Sequence, residues 1–341
     1  MIQKSDRSVV IWLFLGCFLI ASMVIIGGIT RLTHSGLSMV EWKLIMGTIP
    51  PLNEAQWIET FEKYKQFPEY KIMHSYFTLE DFKSIFMWEY LHRLLGRVLG
   101  LVFIIPFVVF LIKGKISRVL LPKLLLVFLW GGFQGFLGWF MVKSGLVNNP
   151  NVSHYRLAIH LVTAFGLCCY IYWVVLGLIH VNRIKSGSGS FKKWGVFLIV
   201  ISFIQVVYGA FVAGLKAGFI HTTWPKMGAH WIDPSIGNVI VDKGIIALVN
   251  DPVTVQFMHR SLALFVLLVV VYVIVKTNKI SLNVNQRKSK NVLLFFVLLQ
   301  VILGIATLVL AVPIVLGVAH QLMALLFLLG VTNFIFHFKK A

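Results

Sequence analysis

Four histidines carry the chemical signal in this chain: His92, His160, His259 and His320. Each stands about five to seven residues inside a long apolar run. Each is followed four positions later by a small residue, namely Gly96, Ala164, Ala263 and Ala324. Residues four apart share a helix face, so every imidazole stands over an open shelf. A polar ring inside a membrane segment is costly and marks a functional site by default. Two histidines per half, with no cysteine or carboxylate cluster beside them, fall short of the three or four protein ligands that zinc takes. Two imidazoles are instead a full axial set for a haem iron, which brings its own four equatorial nitrogens. The spacing therefore predicts two haem sites, His92/His160 and His259/His320. The other histidines have ordinary places: His34, His74, His154, His221 and His230 in outer loops or at their edges, His180 and His337 at inner span ends.

One ionisable residue breaks the match between the two pairs. Glu89 precedes His92 by three residues on the same helical face, and the matching position before His259 is Gln256. A carboxyl beside a porphyrin can accept a proton or stabilise a cationic centre during oxidation, which a plain electron carrier does not need. Its simpler reading is an ion pair with Arg93 at i+4. Chemistry is expected in the first half, and a resident haem in the second.

The elements that must position these residues are membrane spans. The 341 residues are 58% hydrophobic and 13% charged, with mean hydropathy +0.87; soluble domains carry about twice that share of charge. Such a chain is neither a water-soluble enzyme nor disordered. Apolar runs bounded by charge lie at roughly 9–30, 86–112, 119–142, 155–179, 194–214, 255–275, 291–312 and 315–337, the last two parted by a hairpin at Ala311-Val312-Pro313. The first run, long and without a cleavage signal, is expected to be a retained span. The predicted fold class is an all-α membrane protein with eight transmembrane helices in two pseudo-symmetric four-helix bundles.

Net charge is +19, and its distribution excludes a nucleic-acid partner. Seventeen basic residues (Lys4 and Arg7, four at 113–123, four at 183–193, five at 276–290, Lys339 and Lys340) fall on one side, opposed there only by Asp6. The positive-inside rule puts both termini and these loops in the cytoplasm, with affinity for anionic lipid. Two long loops, about 31–85 and 215–254, form folded caps on the outer face. At 1.5 Å per residue the four imidazoles lie roughly 6–10 Å below that face.

The domains expected are residues 1–180 with the reactive site, a cytoplasmic linker at 181–193 containing Lys185-Ser-Gly-Ser-Gly-Ser190, and 194–341 with the resident haem. Both halves run in the same direction, a parallel repeat. Glu89-Tyr-Leu-His-Arg93 echoes Gln256-Phe-Met-His-Arg260, and Gln134-Gly-Phe-Leu-Gly138 echoes Gln300-Val-Ile-Leu-Gly304. Cys17, Cys168 and Cys169 lie inside apolar runs, so no disulfide framework is expected.

Several stretches, in order and spacing, resemble the haem A synthase family over nearly the whole chain. They are Gly27-Gly-Ile-Thr-Arg-Leu-Thr-His-Ser-Gly-Leu-Ser-Met39 with Trp42, Phe61-Glu-Lys-Tyr-Lys-Gln-Phe-Pro-Glu69, Glu89-Tyr-Leu-His-Arg-Leu-Leu-Gly-Arg97, Gly138-Trp-Phe-Met-Val-Lys-Ser-Gly-Leu146, Tyr155-Arg-Leu-Ala-Ile-His160, Gly209-Ala-Phe-Val-Ala-Gly214 and Gln256-Phe-Met-His-Arg260. The resemblance implies oxidation of a ring methyl of haem O to a formyl group by successive hydroxylations, giving haem A for terminal oxidases. It implies that His259 and His320 hold a haem b, that His92 and His160 face the haem O iron, and that Glu89 is the essential carboxylate. Implied surroundings are the bacterial cytoplasmic (inner) membrane, an electron acceptor and hand-over from haem O synthase; a homo-oligomer is compatible with the sequence. The chain departs from the family in two places. It lacks the loop cysteine pairs of some bacterial members, and Gly214-Leu-Lys-Ala-Gly218 has Lys216 where relatives often carry Asp. Competing readings are a di-haem b electron carrier and a transporter. Arg31, Arg93, Arg97, Arg156 and Arg260 are the candidates for binding haem propionates.

Overall fold

The computed structural model describes residues 7–40, 49–145, 152–180 and 190–339. Trp42, the ends of the basic series (Lys4, Asp6, Lys340), Leu146 and most of the expected linker, including Arg183 and Lys185, lie outside the described residues. Among the described residues eight helices are long and apolar enough to cross a membrane: α1 (Arg7–Leu32), α3 (Leu79–Ile112), α4 (Leu121–Gly145), α5 (His154–Ile179), α6 (Ser190–Gly214), α9 (Pro252–Thr277), α10 (Val284–Val309) and α11 (Ile314–Phe338). Three shorter helices lie in the long loops: α2 (Glu54–Lys65), α7 (Ser235–Lys243) and α8 (Ala247–Asn250). The all-α class with eight spans is as the sequence predicts.

The boundaries shift where local capping decides them. The second span begins at Leu79, because Thr78 and Asp81 form a capping box that starts α3 seven residues before its apolar run. Asn283 and Gln286 do the same for α10 ahead of position 291. The expected hairpin before the last span is present. Helix α10 ends at Val309, Ala311 and Val312 take left-handed φ values of 56° and 57°, and Pro313 caps α11. A β-branched residue is strained in that region, so Val312 is held there by the packing of the two helices it joins.

Helices α1, α5, α6 and α11 form the centre. Helices α5 and α11 each pack on the other three, α1 and α6 both lean on that pair, and α3, α4, α9 and α10 line the outside against α1, α5, α6 and α11 respectively. Two apolar clusters fill the interior: Trp12, Leu13, Phe165, Cys168, Val175 and Leu325 in one, and Leu198, Val270, Leu293, Val331 and Phe334 in the other. The outer helices present Leu101, Ile105, Leu129, Leu268, Phe295 and Ile302 at high exposure, a surface that only lipid accommodates. The three cysteines are buried thiols, as expected of residues in apolar runs.

An even number of crossings puts both long loops on one face, each folded as a cap. The first has its own core, where Phe61, Tyr64 and Phe82 stack at about 5 Å between centroids and Trp57 meets Phe86 edge-on. It therefore docks on the start of α3 as a packed unit. At the centre, backbone proximity limits side-chain size. A Cβ on Gly214, at the end of α6, would meet the Cβ of His154 and its backbone Cα at 2.8 Å. Backbone cannot yield as a flexible side chain can. Gly214→Ala is therefore expected to destabilise the protein by roughly 1–3 kcal/mol, read as a lower unfolding midpoint in detergent, whereas Gly100→Ala, which meets nothing within 4 Å, should leave that midpoint unchanged or slightly raised.

Candidate functional site

Each of the four histidines is backed by a glycine on the adjoining outer or inner helix. A Cβ on Gly27 would sit 3.1 Å from His92 Nε2, one on Gly138 3.4 Å from His160 Cε1, one on Gly209 3.3 Å from His259 Cε1, and one on Gly304 2.8 Å from His320 Cε1. A Cβ at Gly304 would displace the ring it faces, those at Gly27 and Gly209 would crowd theirs by a few tenths of an ångström, and one at Gly138 would sit in van der Waals contact. His92 lies near His160, and His259 near His320. All four are partly buried, and among the described residues His320 Nδ1 is a buried nitrogen without a hydrogen-bond partner. Two facing imidazoles, glycine-backed and flanked by small residues, fit a flat macrocycle with a bis-imidazole iron.

Three of the four rings are also held by a glutamine one turn before the backing glycine. Gln134 Nε2 donates to His160 O at 2.8 Å and lies 3.1 Å from Nδ1. Gln205 Nε2 donates to His259 O at 3.1 Å and lies 3.1 Å from Nδ1. Gln300 Nε2 lies 3.4 Å from His320 Nε2. Sequence reading found the first and third as a repeat echo but missed Gln205-Val-Val-Tyr-Gly209. The same spacing, Gln followed by Gly four later, would have revealed it.

Glu89 is buried and fully engaged. Its Oε2 accepts from Ser38 Oγ and from Met39 N, both at 2.7 Å, and its Oε1 pairs with Arg93 Nη2 at 2.5 Å. Arg93 Nη2 also donates to Met39 O at 2.9 Å. The i,i+4 ion pair offered as the simpler reading is therefore formed, and it accounts for the burial of the carboxylate. The pair also locks the end of the segment 27–39 onto α3. In the second half Gln256 reverses the polarity: its Nε2 donates to His221 O at 3.0 Å. The two halves thus use the same position to hold the preceding loop, one through an anion and the other through a neutral amide.

The arginines sort themselves by partners. Arg260 Nη2 donates to the carbonyls of Thr223, Pro225 and Lys226 at 2.9–3.1 Å, Arg31 to Ala213 O at 2.9 Å, and Arg156 to Phe140 O at 2.9 Å. Among the described residues Arg260 Nη1 and Arg31 Nε remain buried donors without a partner. Lys216, the departure from the family pattern, has φ 54°, as does His34. Burial, and then the charge of Lys216, pushes the His34 imidazole down to about 4.

A second buried polar group lies in the first cap. Tyr64 OH donates to Glu69 Oε2 at 3.0 Å and lies 2.7 Å from His74 Nδ1. All three residues are buried. Burial pushes the Glu69 carboxyl up to about 8, against the lowering effect of the Tyr64 hydrogen bond, and the charge of Glu89 adds to the rise. Its signal in sequence was Glu69 itself, a carboxylate closing an aromatic-rich stretch.

With this geometry in hand, comparison with known proteins is decisive. The model of the COX15-CtaA family, described as cytochrome oxidase assembly protein, matches residues 10–332. The chain belongs to that family. Among its relatives, a protein named heme A synthase from Flavobacterium psychrophilum is 47% identical over 315 residues, covering 91% of this chain and 92% of the relative. Proteins of the same name from Nitrosospira multiformis and Paramagnetospirillum magneticum are 44% and 43% identical, each over 91% of this chain and over 89% and 87% of their own lengths.

Two measurements test the site as built. Removing one partner of a buried ion pair costs about 3–5 kcal/mol. Arg93→Ala should therefore lower the unfolding midpoint strongly, and adding Glu89→Gln should restore much of the loss. For Glu69, the folded state retains a proton that the unfolded chain gives up at its ordinary value of 4.5. Stability should consequently fall as pH rises from 4.5 to about 8, and Glu69→Gln should flatten that slope in thermal unfolding curves recorded across the window.

Proposed function

We propose that this chain is a haem A synthase of the bacterial cytoplasmic membrane, oxidising a ring methyl of haem O to a formyl group for use in terminal cytochrome oxidase. The termini and short basic loops face the cytoplasm, as the charge asymmetry of the loops supports. The observation that carries the reading is the pair of glycine-backed imidazole sites with a buried carboxylate beside only one of them. The family and the relatives named heme A synthase support the same substrate.

In this reading His92 and His160 hold the haem O iron, and the membrane position of the site suits a substrate too apolar to cross water. Glu89 stands one turn from His92. It is fixed by Ser38, Met39 N and Arg93, so its charge is already oriented when the methyl is oxidised and no reorganisation is required. His259 and His320 hold a resident haem b, with Gln205 and Gln300 against the rings. That haem supplies a one-electron relay between the reacting half and an electron acceptor. Arg260 Nη1 and Arg31 Nε are the buried donors best suited to propionates. Delivery by haem O synthase completes the reading on the substrate side.

The test is haem extraction. The chain is expressed in a bacterial host that makes haem O but no haem A, and the extracted haems are separated by chromatography and mass. Haem A or its hydroxymethyl precursor is expected with the wild type and absent with Glu89→Ala; haem b is expected to be lost with His259→Ala. Abundant haem b with no oxidised haem O in any sample would overturn the synthase and leave a di-haem electron carrier.

A further inference from the structure

The glutamine device is repeated three times and broken once, at a functionally pointed place. Four helices back a histidine with a glycine, and the residue four before that glycine is Gln134 on α4, Gln205 on α6, Gln300 on α10 and Met23 on α1. At the first three, the amide reaches the histidine of the neighbouring helix at its carbonyl, its ring or both. Gln134 is itself fixed by a third group, since Thr163 Oγ1 donates to its Oε1 at 2.6 Å. Met23 instead lays its methyl against the shelf below His92: a Cβ on Gly96 would meet Met23 Cε at 3.7 Å. Among the described residues no side chain hydrogen-bonds the His92 ring, although Gly27 holds it from behind.

The physical difference is one of orientation. An amide carries both a donor and an acceptor, so it can fix an imidazole in either tautomer. A thioether is a weak acceptor on a flexible chain and fixes neither. A ligating histidine whose other nitrogen and ring plane are held by a partner binds its metal more tightly, and losing such a partner typically costs 10–100-fold in metal affinity. Gln134 and Gln205 reach both the carbonyl and a ring nitrogen of His160 and His259, and Gln300 reaches His320 Nε2 at 3.4 Å; no such amide reaches His92, in the half that must exchange substrate for product on every turnover.

We propose that Gln134, Gln205 and Gln300 are positioning residues that fix the imidazoles of His160, His259 and His320, and that Met23 in the matching place leaves His92 the releasable ligand, so that haem O can enter this site and its oxidised product can leave. The proposal rests on the reading that the four histidines ligate haem. It adds the reason why one of two near-equivalent sites retains its haem while the other turns it over. A permanently held haem requires both imidazoles fixed, whereas a substrate requires one that lets go.

The experiment compares wild type, Met23→Gln, Gln205→Met and His259→Ala, purified as full chains from the haem O-producing host. Haem content and identity are measured first. The rate of haem loss to excess apomyoglobin follows, with the ferric low-spin electron paramagnetic resonance spectrum, which reports the relative orientation of two axial imidazoles. Met23→Gln is expected to slow loss of haem O and its oxidised products by about 10-fold, to raise the amount that co-purifies and to narrow the corresponding low-spin signal, with haem b content unchanged. Gln205→Met is expected to speed loss of haem b by a similar factor while leaving the haem O fraction alone. A merely structural role for these positions would shift the unfolding midpoint without moving haem-loss rates or spectra selectively by half. Unchanged loss rates and spectra in Met23→Gln, with haem b present and lost in His259→Ala, would overturn the proposal while sparing the ligand assignment. Wild-type protein that carries no haem, or haem b retained in His259→Ala, would overturn both.

Discussion

An imidazole can be kept among apolar helices only if the neighbouring helix comes close enough to enclose it and still leaves room for its ring. Gly27, Gly138, Gly209 and Gly304 meet that demand by having no side chain, and each fixes how near one pair of helices can pack. Much of the remaining architecture follows. Helices α1 and α6 belong to the central group, and α4 and α10 to the outer one, so each imidazole pair is approached by one glycine from inside and one from outside.

The same four-fold arrangement supports two different sites because polarity changes at a few positions. Glu89 and Gln256 occupy the same place before their histidines, yet one accepts from the backbone N–H of Met39 and the other donates to the carbonyl of His221. Arg93 and Arg260 both clamp the preceding loop through carbonyls, but only Arg93 has a carboxylate to pair with. A charge is thereby buried in the first half and avoided in the second. Burying it requires the full set of partners that Ser38, Met39 and Arg93 provide, since an incompletely paired buried charge is strongly destabilising. The segment 27–39 is accordingly a single device. Its first residue backs His92, and its last two hold Glu89.

The first cap extends this logic outward. Tyr64, Glu69 and His74 form a buried polar chain within an aromatic core, and the charge of Glu89 reaches Glu69. The cap is thus electrostatically continuous with the site beneath it. The second cap is built differently, with Arg260 gathering three carbonyls and His221 paired to Asp233 at 3.0 Å. Lys216 lies where its charge acts on His34, near the Arg31–Ala213 contact between α1 and α6.

Much was determined by sequence alone, because the physics concerned is one-dimensional. Apolar runs long enough to span a bilayer and charge at their ends depend only on residue order, and they predicted the eight spans found among the described residues; the histidines within them offered the pairs His92/His160 and His259/His320 as candidates. Capping chemistry outside the runs, at Thr78-Asp81 and Asn283-Gln286, was equally present in the sequence but masked by attention to hydropathy, so helix starts were placed late. What only the tertiary structure decided was partnership across helices. That Glu89 is tied to Ser38 and Met39, that Gln205 joins Gln134 and Gln300 in holding a histidine, and that Met23 stands where a fourth glutamine would, depend on which face of one helix meets which face of another. No local rule fixes those contacts: the spacing of residues on one helix says which of them share a face, and only packing says what that face meets.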